Sequence, residues 1–290
     1  MTSDRSVFPT FPFSFSRYGR TVILLLLLLL TIPEYLGAQQ GFPPPGGARG
    51  RAMGGAGLNF QDTYAAWSNP AGLGGLSELG VVLSGEQRFG FSELQLIGLA
   101  AALPTANGGF GIGVSSFGFE AYRDTRISLS YGRTLFEGFR IGAELIGLNT
   151  SVENYDSRFS GTFAIGFQVD ILPELSVGTR LFSPMRVEVA EDEILPQLLG
   201  IGLGYQPTDQ LLILAEYEQE IDFNARFRLG MEYAVLEELI LRAGVATEAS
   251  ELSFGAEYQA SSQFRIGFVG AFHETLGWSP GVELVYRAEK

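Results

Sequence analysis

The chain has 290 residues and carries 32 acidic against 19 basic side chains, a formal net charge of −13. This acidic balance argues against nucleic-acid binding, because phosphate contacts require surplus positive charge. The sequence contains no cysteine, which excludes disulfides, thiolate catalysis and cysteine-ligated metals.

Residues 1–38 have the organisation of an export signal. Arg17 and Arg20 precede an apolar run, residues 21–31, and the segment Leu36-Gly37-Ala38 offers a cleavage site before Gln39. The apolar run is too short to cross a bilayer core of about 30 Å as a helix. We predict a signal peptide over residues 1–38; the alternative is an uncleaved membrane anchor.

Two regions of different character follow the signal. Residues 39–77 are rich in glycine and proline and show no sustained period. From Glu78 onward, apolar and polar residues alternate in blocks that are separated by turn residues such as Pro104-Thr105-Ala106-Asn107. A period of two is the period of a β-strand, since successive side chains point to opposite faces. We predict an N-terminal segment over 39–77 and an all-β domain over 78–290.

The alternating region contains fourteen predicted strands of the length that suits tilted membrane strands. Their predicted bounds are 78–88, 92–103, 108–119, 123–135, 138–149, 158–170, 174–184, 196–206, 209–219, 223–235, 237–247, 251–260, 262–273 and 279–288.

The polar face of these strands is unusual for a sheet in water. It carries rows of glycine, such as Gly200, Gly202 and Gly204, beside charges of both signs. Small residues suit a crowded interior, and charges are hydrated or paired inside a lumen but are costly on a lipid face. We therefore predict a transmembrane antiparallel β-barrel with its apolar face outward; a β-protein that is not embedded in lipid is the alternative. The predicted lumenal charges are Arg226, Arg228, Glu232, Arg242, Glu257, Arg265 and Glu283.

Tyrosines mark one end of the even-numbered strands, in phase with the apolar face, as in an aromatic girdle at a membrane interface. They are Tyr131, Tyr205, Tyr233, Tyr258 and Tyr286. Since an even strand number returns the chain to the side where it began, we predict that both termini and the tyrosine rim are periplasmic. The predicted location is the bacterial outer membrane, with its lipid as the first partner.

The N-terminal segment supports a resemblance. The stretch Gly47–Gly57 (GARGRAMGGAG), followed by Gln61–Leu73 (QDTYAAWSNPAGL), resembles the N-terminal signature of the superfamily that comprises the FadL-type long-chain fatty acid transporters and the PorV/PorQ family associated with type IX secretion. The close match covers about 27 residues. Members resemble fourteen-stranded barrels whose N-terminal segment folds inside the lumen, so the resemblance implies that residues 39–77 form a lumenal plug or hatch.

Physical roles can be assigned to the residues of this motif. We expect Arg49 and Arg51 to pair with lumenal carboxylates, and Asp62 to pair with lumenal arginines. The glycines allow close packing against the wall, and the segment that begins at Asn69 suits a turn into the first strand. The predicted plug residues are Arg49, Arg51, Gly54, Gly55, Asp62, Asn69, Pro70 and Gly72. The alternative is a purely structural clasp that takes no part in ligand binding.

Enzymatic chemistry is not indicated. The single histidine, His273, is predicted on the lumenal face near a rim, where a hydrated polar residue is more common than a catalytic base. The glycine-rich stretch lacks the Lys-Ser/Thr of a phosphate loop, and no metal-ligand spacing is present. We predict a protein that is not an enzyme and has no cofactor.

Three functions remain open at this point. The short chain and brief loops favour a PorV/PorQ-like component of protein secretion or surface assembly, with secretion subunits or exported proteins as partners. The alternative is a FadL-like transport channel for long-chain fatty acids or other hydrophobic small molecules, which requires a continuous apolar pocket. An open porin is the third, and a segment that fills the lumen argues against it.

Overall fold

The computed structural model describes residues 46–155, 157–190, 193–221, 223–247 and 250–288. The predicted signal peptide and the first residues of the predicted plug, 39–45, lie outside the described residues, so those boundaries stay predictions. Among the described residues, no helix is long and apolar enough to span a lipid bilayer.

Within the described residues, sixteen strands follow three short helical turns. The turns are α1 (Gly47–Ala52), α2 (Ala65–Ser68) and a 3-10 helix (Pro70–Gly75). The strands are β1 (Gly80–Gln87), β2 (Gln95–Thr105), β3 (Gly108–Gly118), β4 (Tyr122–Phe136), β5 (Phe139–Val152), β6 (Arg158–Leu172), β7 (Leu175–Phe182), β8 (Glu188–Ala190), β9 (Glu193–Ile194), β10 (Leu198–Thr208), β11 (Leu211–Glu220), β12 (Arg226–Leu236), β13 (Leu239–Ala246), β14 (Glu251–Gln259), β15 (Phe264–His273) and β16 (Gly277–Arg287). Short 3-10 turns, Arg88–Gly90 and Ser92–Leu94, lie between β1 and β2.

Fourteen of these strands form one closed antiparallel barrel, in which consecutive barrel strands pair, β7 pairs with β10, and β1 pairs with β16. The closing pair runs from Gly80 opposite Arg287 to Glu86 opposite Gly281. The predicted all-β fold and the count of fourteen strands are therefore confirmed. Strands β8 and β9 form a separate two-stranded sheet within a connection for which no strand was predicted.

The two faces of the wall are the reverse of those of a barrel in water. On β5, Leu145 points outward and is 66% exposed, whereas its neighbour Glu144 points inward and is 1% exposed. The same alternation continues around the barrel, with leucine, isoleucine and phenylalanine outside. This is the polarity that a lipid environment requires, because apolar atoms meet the acyl chains and charges are kept from them.

The interior is occupied by residues 46–76, which we call the inner segment. Its buried side chains include Met53, Phe60, Tyr64 and Leu73. It lies against wall glycines on almost every strand, from Gly98 on β2 to Gly244 on β13, and a segment that contacts the wall in all directions must lie inside. The glycine row at 200, 202 and 204 faces Leu58 and Asn59 of this segment, as expected for small residues in a crowded lumen.

The two ends of the barrel differ. One end has short turns, such as the turn between β4 and β5, and it holds both ends of the barrel sequence, at Gly80 and Arg287. Tyr205, Tyr233 and Tyr258 are exposed on the outer face near this end. The other end, which we call the loop end, carries the longer connections, including residues 183–197.

Replacing Leu145 with arginine tests the outward polarity of the wall. Leu145 lies near the middle of β5, and a cation at mid-depth on a lipid face costs about 2–4 kcal/mol. We expect Leu145→Arg to lower the free energy of unfolding from phospholipid vesicles by that amount, measured by denaturant titration. Tyr155→Arg, at a loop position that is 78% exposed, serves as the control and should be near neutral. Equal stability of the two variants would contradict a lipid-facing wall.

Candidate functional site: the inner segment and the adjoining cavity

Arg49 holds α1 against the wall through a two-pronged ion pair. Its Nε donates to Glu232 Oε2 at 2.7 Å and its Nη2 to Glu232 Oε1 at 2.6 Å. The guanidinium lies 4.2 Å from the ring centroid of Phe60, and its Nη1 pairs with Asp62. Bidentate arginine–carboxylate pairs fix orientation as well as distance. One predicted plug residue thus contacts one predicted lumenal charge, across 183 positions of sequence.

Arg51 makes a second attachment, to residues that were not among the predicted lumenal charges. Its Nε donates to Glu86 on β1 at 3.0 Å, and its Nη1 pairs with Glu251 on β14. Both carboxylates are inward-facing by the same alternation that predicted Glu232. The strand period therefore predicts that Glu86 and Glu251 face inward, but it does not predict that Arg51 is their partner.

Asp62 differs from its expectation. We expected a wall arginine as its partner, but the arginine that it contacts is Arg49 of its own segment. Its Oδ1 also accepts a hydrogen bond from the backbone N–H of Tyr64 at 3.0 Å. Since the contact is local, Asp62 shapes the inner segment and helps to neutralise Arg49.

Asn69 joins the inner segment to the wall through its amide. Its Nδ2 donates to the carbonyl oxygen of Leu58 at 2.8 Å and, at 3.3 Å each, to those of Phe167 and Thr179 on β6 and β7. Its Oδ1 accepts from Ala71 N, so that it begins the 3-10 helix. The expected turn is therefore present. The Asn69 side chain that begins it is fully buried and connects the inner segment to the wall.

Close approach explains three further motif positions. Gly54 has φ of +71°, and a Cβ there would lie 2.6 Å from the carbonyl oxygen of Val245 on β13. Pro70 is fully buried, with its carbonyl against Gly132 and Gly142 of the wall. Gly72 packs on the carbonyl of Phe60 within the inner segment. A larger side chain at Gly54 or Gly72 would meet backbone atoms, which cannot move aside as a flexible side chain can.

The predicted lumenal charges form chains of ion pairs along the wall. Glu232 receives Arg242 Nε at 2.6 Å, and Arg242 continues to Glu257 at 2.7 Å, which also receives Arg265 at 3.0 Å. Glu283 lies 3.9 Å from Arg242. Arg226 and Arg228 pair with Glu218 at 3.1 and 2.7 Å. Glu218 was not predicted, although its strand position faces inward.

Tyr64 lies beside the central chain of charges. It is fully buried and packs against Phe60 with a centroid distance of 6.0 Å. Burial, together with the nearby carboxylates Glu283 and Glu257, raises the pKa of the Tyr64 phenol well above its ordinary value. The phenol therefore stays protonated, and it adds no further negative charge to this carboxylate-rich region.

A cavity lies between the inner segment and the wall in the loop-end half of the barrel. Its empty volume is about 550 Å³, including the space at its mouth. Trp67 and α1 form one side, Leu96 and Val269 contribute apolar wall, and glycines leave room between them. The lining residues are Gly47, Ala48, Trp67, Ser84, Gly85, Glu86, Leu96, Gly98, Ser115, Arg126 and Val269. We refer to this space as the Trp67 cavity.

Comparisons with known proteins agree with this architecture. No family model matches the chain, and no curated protein matches its sequence. Among solved structures, the CymD monoaromatic hydrocarbon channel is similar with a TM-score of 0.68 and 15% identity, over 86% of this chain and 100% of that one. The Ralstonia pickettii toluene transporter TbuX gives 0.62 and 15% over the same shares, and a Pseudomonas aeruginosa FadL homologue gives 0.57 and 13% over 84% and 97%.

The chain has the fold of a FadL-type outer-membrane barrel. Sequence identities this low establish the fold alone. The predicted resemblance to FadL-type barrels is thus supported at the level of fold. The sequence favoured the PorV/PorQ branch, and nothing in these comparisons supports that branch.

His273 has a local structural contact at the loop end of this FadL-type barrel. Its Nδ1 accepts hydrogen bonds from Thr275 N and Leu276 N, each at 3.1 Å, and its ring meets Phe89 edge-on at 5.6 Å. These contacts hold the turn between β15 and β16. Among the described residues, no group of three or more histidine, aspartate or glutamate side chains is placed to bind a metal.

Removing the charge of Glu232 tests the anchoring of the inner segment. Glu232→Gln leaves Arg49 and Arg242 short of a carboxylate, and breaking a buried pair costs about 3–5 kcal/mol. We expect faster amide hydrogen exchange in residues 46–60 and a lower free energy of unfolding.

Glu188→Gln is the matched control, because its pair with Arg158 is 3.4 Å long and exposed. An exposed pair contributes about 0–1 kcal/mol. If amide hydrogen exchange in residues 46–60 rises no more in Glu232→Gln than in this control, the Arg49–Glu232 ion pair does not hold the inner segment.

Proposed function

We propose that the chain is a non-enzymatic outer-membrane channel for small apolar molecules, in which the inner segment closes the lumen. The observation that carries the proposal is the Trp67 cavity: an aromatic and aliphatic space that lies beside the ion pairs of the lumen. Apolar ligand sites are concave and lined by such side chains with a few polar groups at the edge. The cavity lies in the loop-end half of the barrel, between Trp67, α1 and the wall, on the side where a molecule would enter past the loops.

The charged groups at the edge of the cavity favour an uncharged ligand. Glu86 is paired with Arg51, and Arg126 with Glu144 at 2.6 Å. Each charge already has a partner, so a ligand does not have to supply one. The structural neighbours supply independent support, since those named are channels or transporters for monoaromatic hydrocarbons or toluene, or a FadL homologue.

A role in protein secretion or surface assembly is the second candidate. It rests on the motif resemblance, the modest chain length and the brief loops, and it requires a docking partner but no ligand cavity. The Trp67 cavity and the named neighbours favour transport over this role. Co-purification of secretion subunits from native membranes, with no binding of apolar ligands, would reverse the preference.

Ligand binding can be followed through Trp67 itself, because the chain has only one other tryptophan, Trp278. In a Trp278→Phe background, we expect toluene to change the fluorescence of Trp67 in a saturable manner. Gly98→Leu should weaken binding about tenfold or more, equivalent to about 1.4 kcal/mol. The reason is that a Cβ at Gly98 already lies 3.1 Å from the indole, so the rest of the side chain occupies the cavity.

Gly161→Leu is the matched control. A Cβ there meets only the carbonyl oxygen of Ile146, at 3.8 Å, so the change leaves the cavity untouched. Uptake of toluene into vesicles that contain the same variants should follow the binding order. Absence of saturable binding in the parent protein, or equal binding by both glycine variants, would refute the cavity as the ligand site.

We also propose that the short-turn end and both termini face the periplasm and that the loop end faces outward. The tyrosine rim and the longer loops support this direction. Because the chain has no cysteine, single cysteines report it directly. A bulky maleimide that cannot cross the outer membrane should label Tyr155→Cys in intact cells, and Asn107→Cys only after permeabilisation. Labelling in the opposite order would invert the topology.

A further inference from the structure

The longest connection between barrel strands in the described residues, 183–197, turns back into the lumen. Its Leu195 is 0% exposed and packs among four inward-facing wall residues, with Val187 and Leu198 at the edge. We call these four wall residues the cradle: Ile146, Leu148, Ala164 and Phe182. Strands β8 and β9 form the hairpin that carries Leu195 to this position.

The cradle is an apolar patch beside a group of charges that satisfy one another. Glu144 accepts from Arg126 at 2.6 Å and from Arg180 at 2.7 Å. Both guanidinium groups lie over the ring of Phe182, at 5.6 and 5.3 Å from its centroid. The ion triad thus forms one boundary of the cradle, and Phe182 presents its ring between those charges and the hydrocarbon of Leu195.

Among the described residues, two polar contacts join β8 to the wall. Ser160 Oγ donates to the carbonyl oxygen of Glu188 at 2.8 Å, and the exposed Arg158–Glu188 pair adds a contact at 3.4 Å. The bond from Leu195 N to the carbonyl oxygen of Val187, at 2.7 Å, is internal to the connection. Burial of Leu195 among the cradle residues adds an apolar attachment. The hydrophobic effect is non-directional, so another apolar group of similar size can replace that side chain.

The cradle and the Trp67 cavity are neighbours. Arg126 lines the cavity and also stacks on Phe182 of the cradle. Arg126 and Leu148 are opposite each other on β4 and β5, so the two spaces lie at the same depth in the loop-end half. The Arg126 side chain therefore borders both spaces.

We infer that the cradle is a second binding site for a compact, uncharged apolar molecule, which the chain itself occupies with Leu195 when no ligand is bound. The isobutyl group of Leu195 shows the size and polarity of what the cradle accepts. An uncharged ligand is indicated because the cradle is lined by hydrocarbon side chains and is filled by one. The inference rests on the proposed function, since it makes the cradle the entry site of the channel. The ligand opens this site by displacing Leu195.

Cysteine accessibility tests displacement without relying on transport. In the full-length protein in detergent, Leu195→Cys should react with a thiol reagent at least about tenfold more slowly than the exposed Tyr155→Cys, because reaction requires local opening. Saturating toluene should accelerate Leu195→Cys and leave Tyr155→Cys unchanged. Val187→Cys, on the same hairpin with Leu195 in place, should show the same toluene dependence. Benzoate, which has a similar ring but a negative charge, should have no effect.

Two results would overturn the inference. One is that toluene does not change the rate at which the thiol reagent reacts with either hairpin cysteine, Leu195→Cys or Val187→Cys. The other is equal acceleration by benzoate, which would show that the site does not select uncharged ligands.

A reversible cross-link separates failure of this inference from failure of the channel proposal. In the double variant Ser160→Cys, Glu188→Cys, a disulfide joins the wall to the hairpin. The two positions are adjacent, because the Ser160 side chain contacts the backbone of Glu188. We expect the oxidised form to take up toluene into vesicles about tenfold more slowly than the reduced form, because the hairpin cannot leave the cradle. The reduced form is its own matched control.

Equal, measurable uptake by both forms would overturn the entry site and leave the channel standing. No uptake by either form, combined with toluene-dependent exposure of Leu195→Cys, would overturn the channel and leave the cradle site standing.

Discussion

Lipid offers no hydrogen bonds to a peptide group, and the whole structure follows from that constraint. Every strand edge in the bilayer must be paired, and the pairing of β1 with β16 achieves this by closing the sheet. Closure in turn places one face of every strand against acyl chains. Leucine, isoleucine and phenylalanine occupy that face, and the inward face receives the charges and glycines.

Charges that face inward create a second requirement, because a filled lumen leaves little water to solvate them. The wall meets it partly by itself, through chains such as Glu232–Arg242–Glu257–Arg265. The inner segment supplies the remainder, with Arg49 and Arg51 placed opposite wall carboxylates. Removing one member of a buried pair is costly, so the same contacts that neutralise the lumen also hold the inner segment in position.

Against this paired background, two apolar spaces stand out, and both lie in the loop-end half. The Trp67 cavity is empty of side chains, while the cradle is filled by Leu195 from the hairpin. They adjoin at Arg126, which is ion-paired with Glu144. In the proposed channel, this arrangement gives an apolar molecule a stepwise route: displacement of Leu195, passage beside an ion-paired arginine, then binding against an indole.

The sequence by itself determined the strand number, the direction in which each side chain points and the inverted polarity of the wall. These are local properties, since the direction of a side chain on a strand depends only on its position in a period of two. That is why the sequence alone places Glu232, Arg242 and Glu257 inside. The glycine rows were also predicted to face inward, because rows of glycine conflict with a solvated strand. The pairing of Arg49 and Arg51 with lumenal carboxylates was expected from their motif.

Only the tertiary structure decided which groups meet. Arg51 and Glu251 are 200 positions apart, and their contact depends on the closure and stagger of the whole barrel, which no local pattern encodes. The same reason accounts for the two apolar spaces, whereas Asp62 pairs with Arg49 of its own segment, where a wall arginine was expected. A cavity is bounded by residues from many strands, and the inward burial of Leu195 depends on a connection that carries no strand period at all.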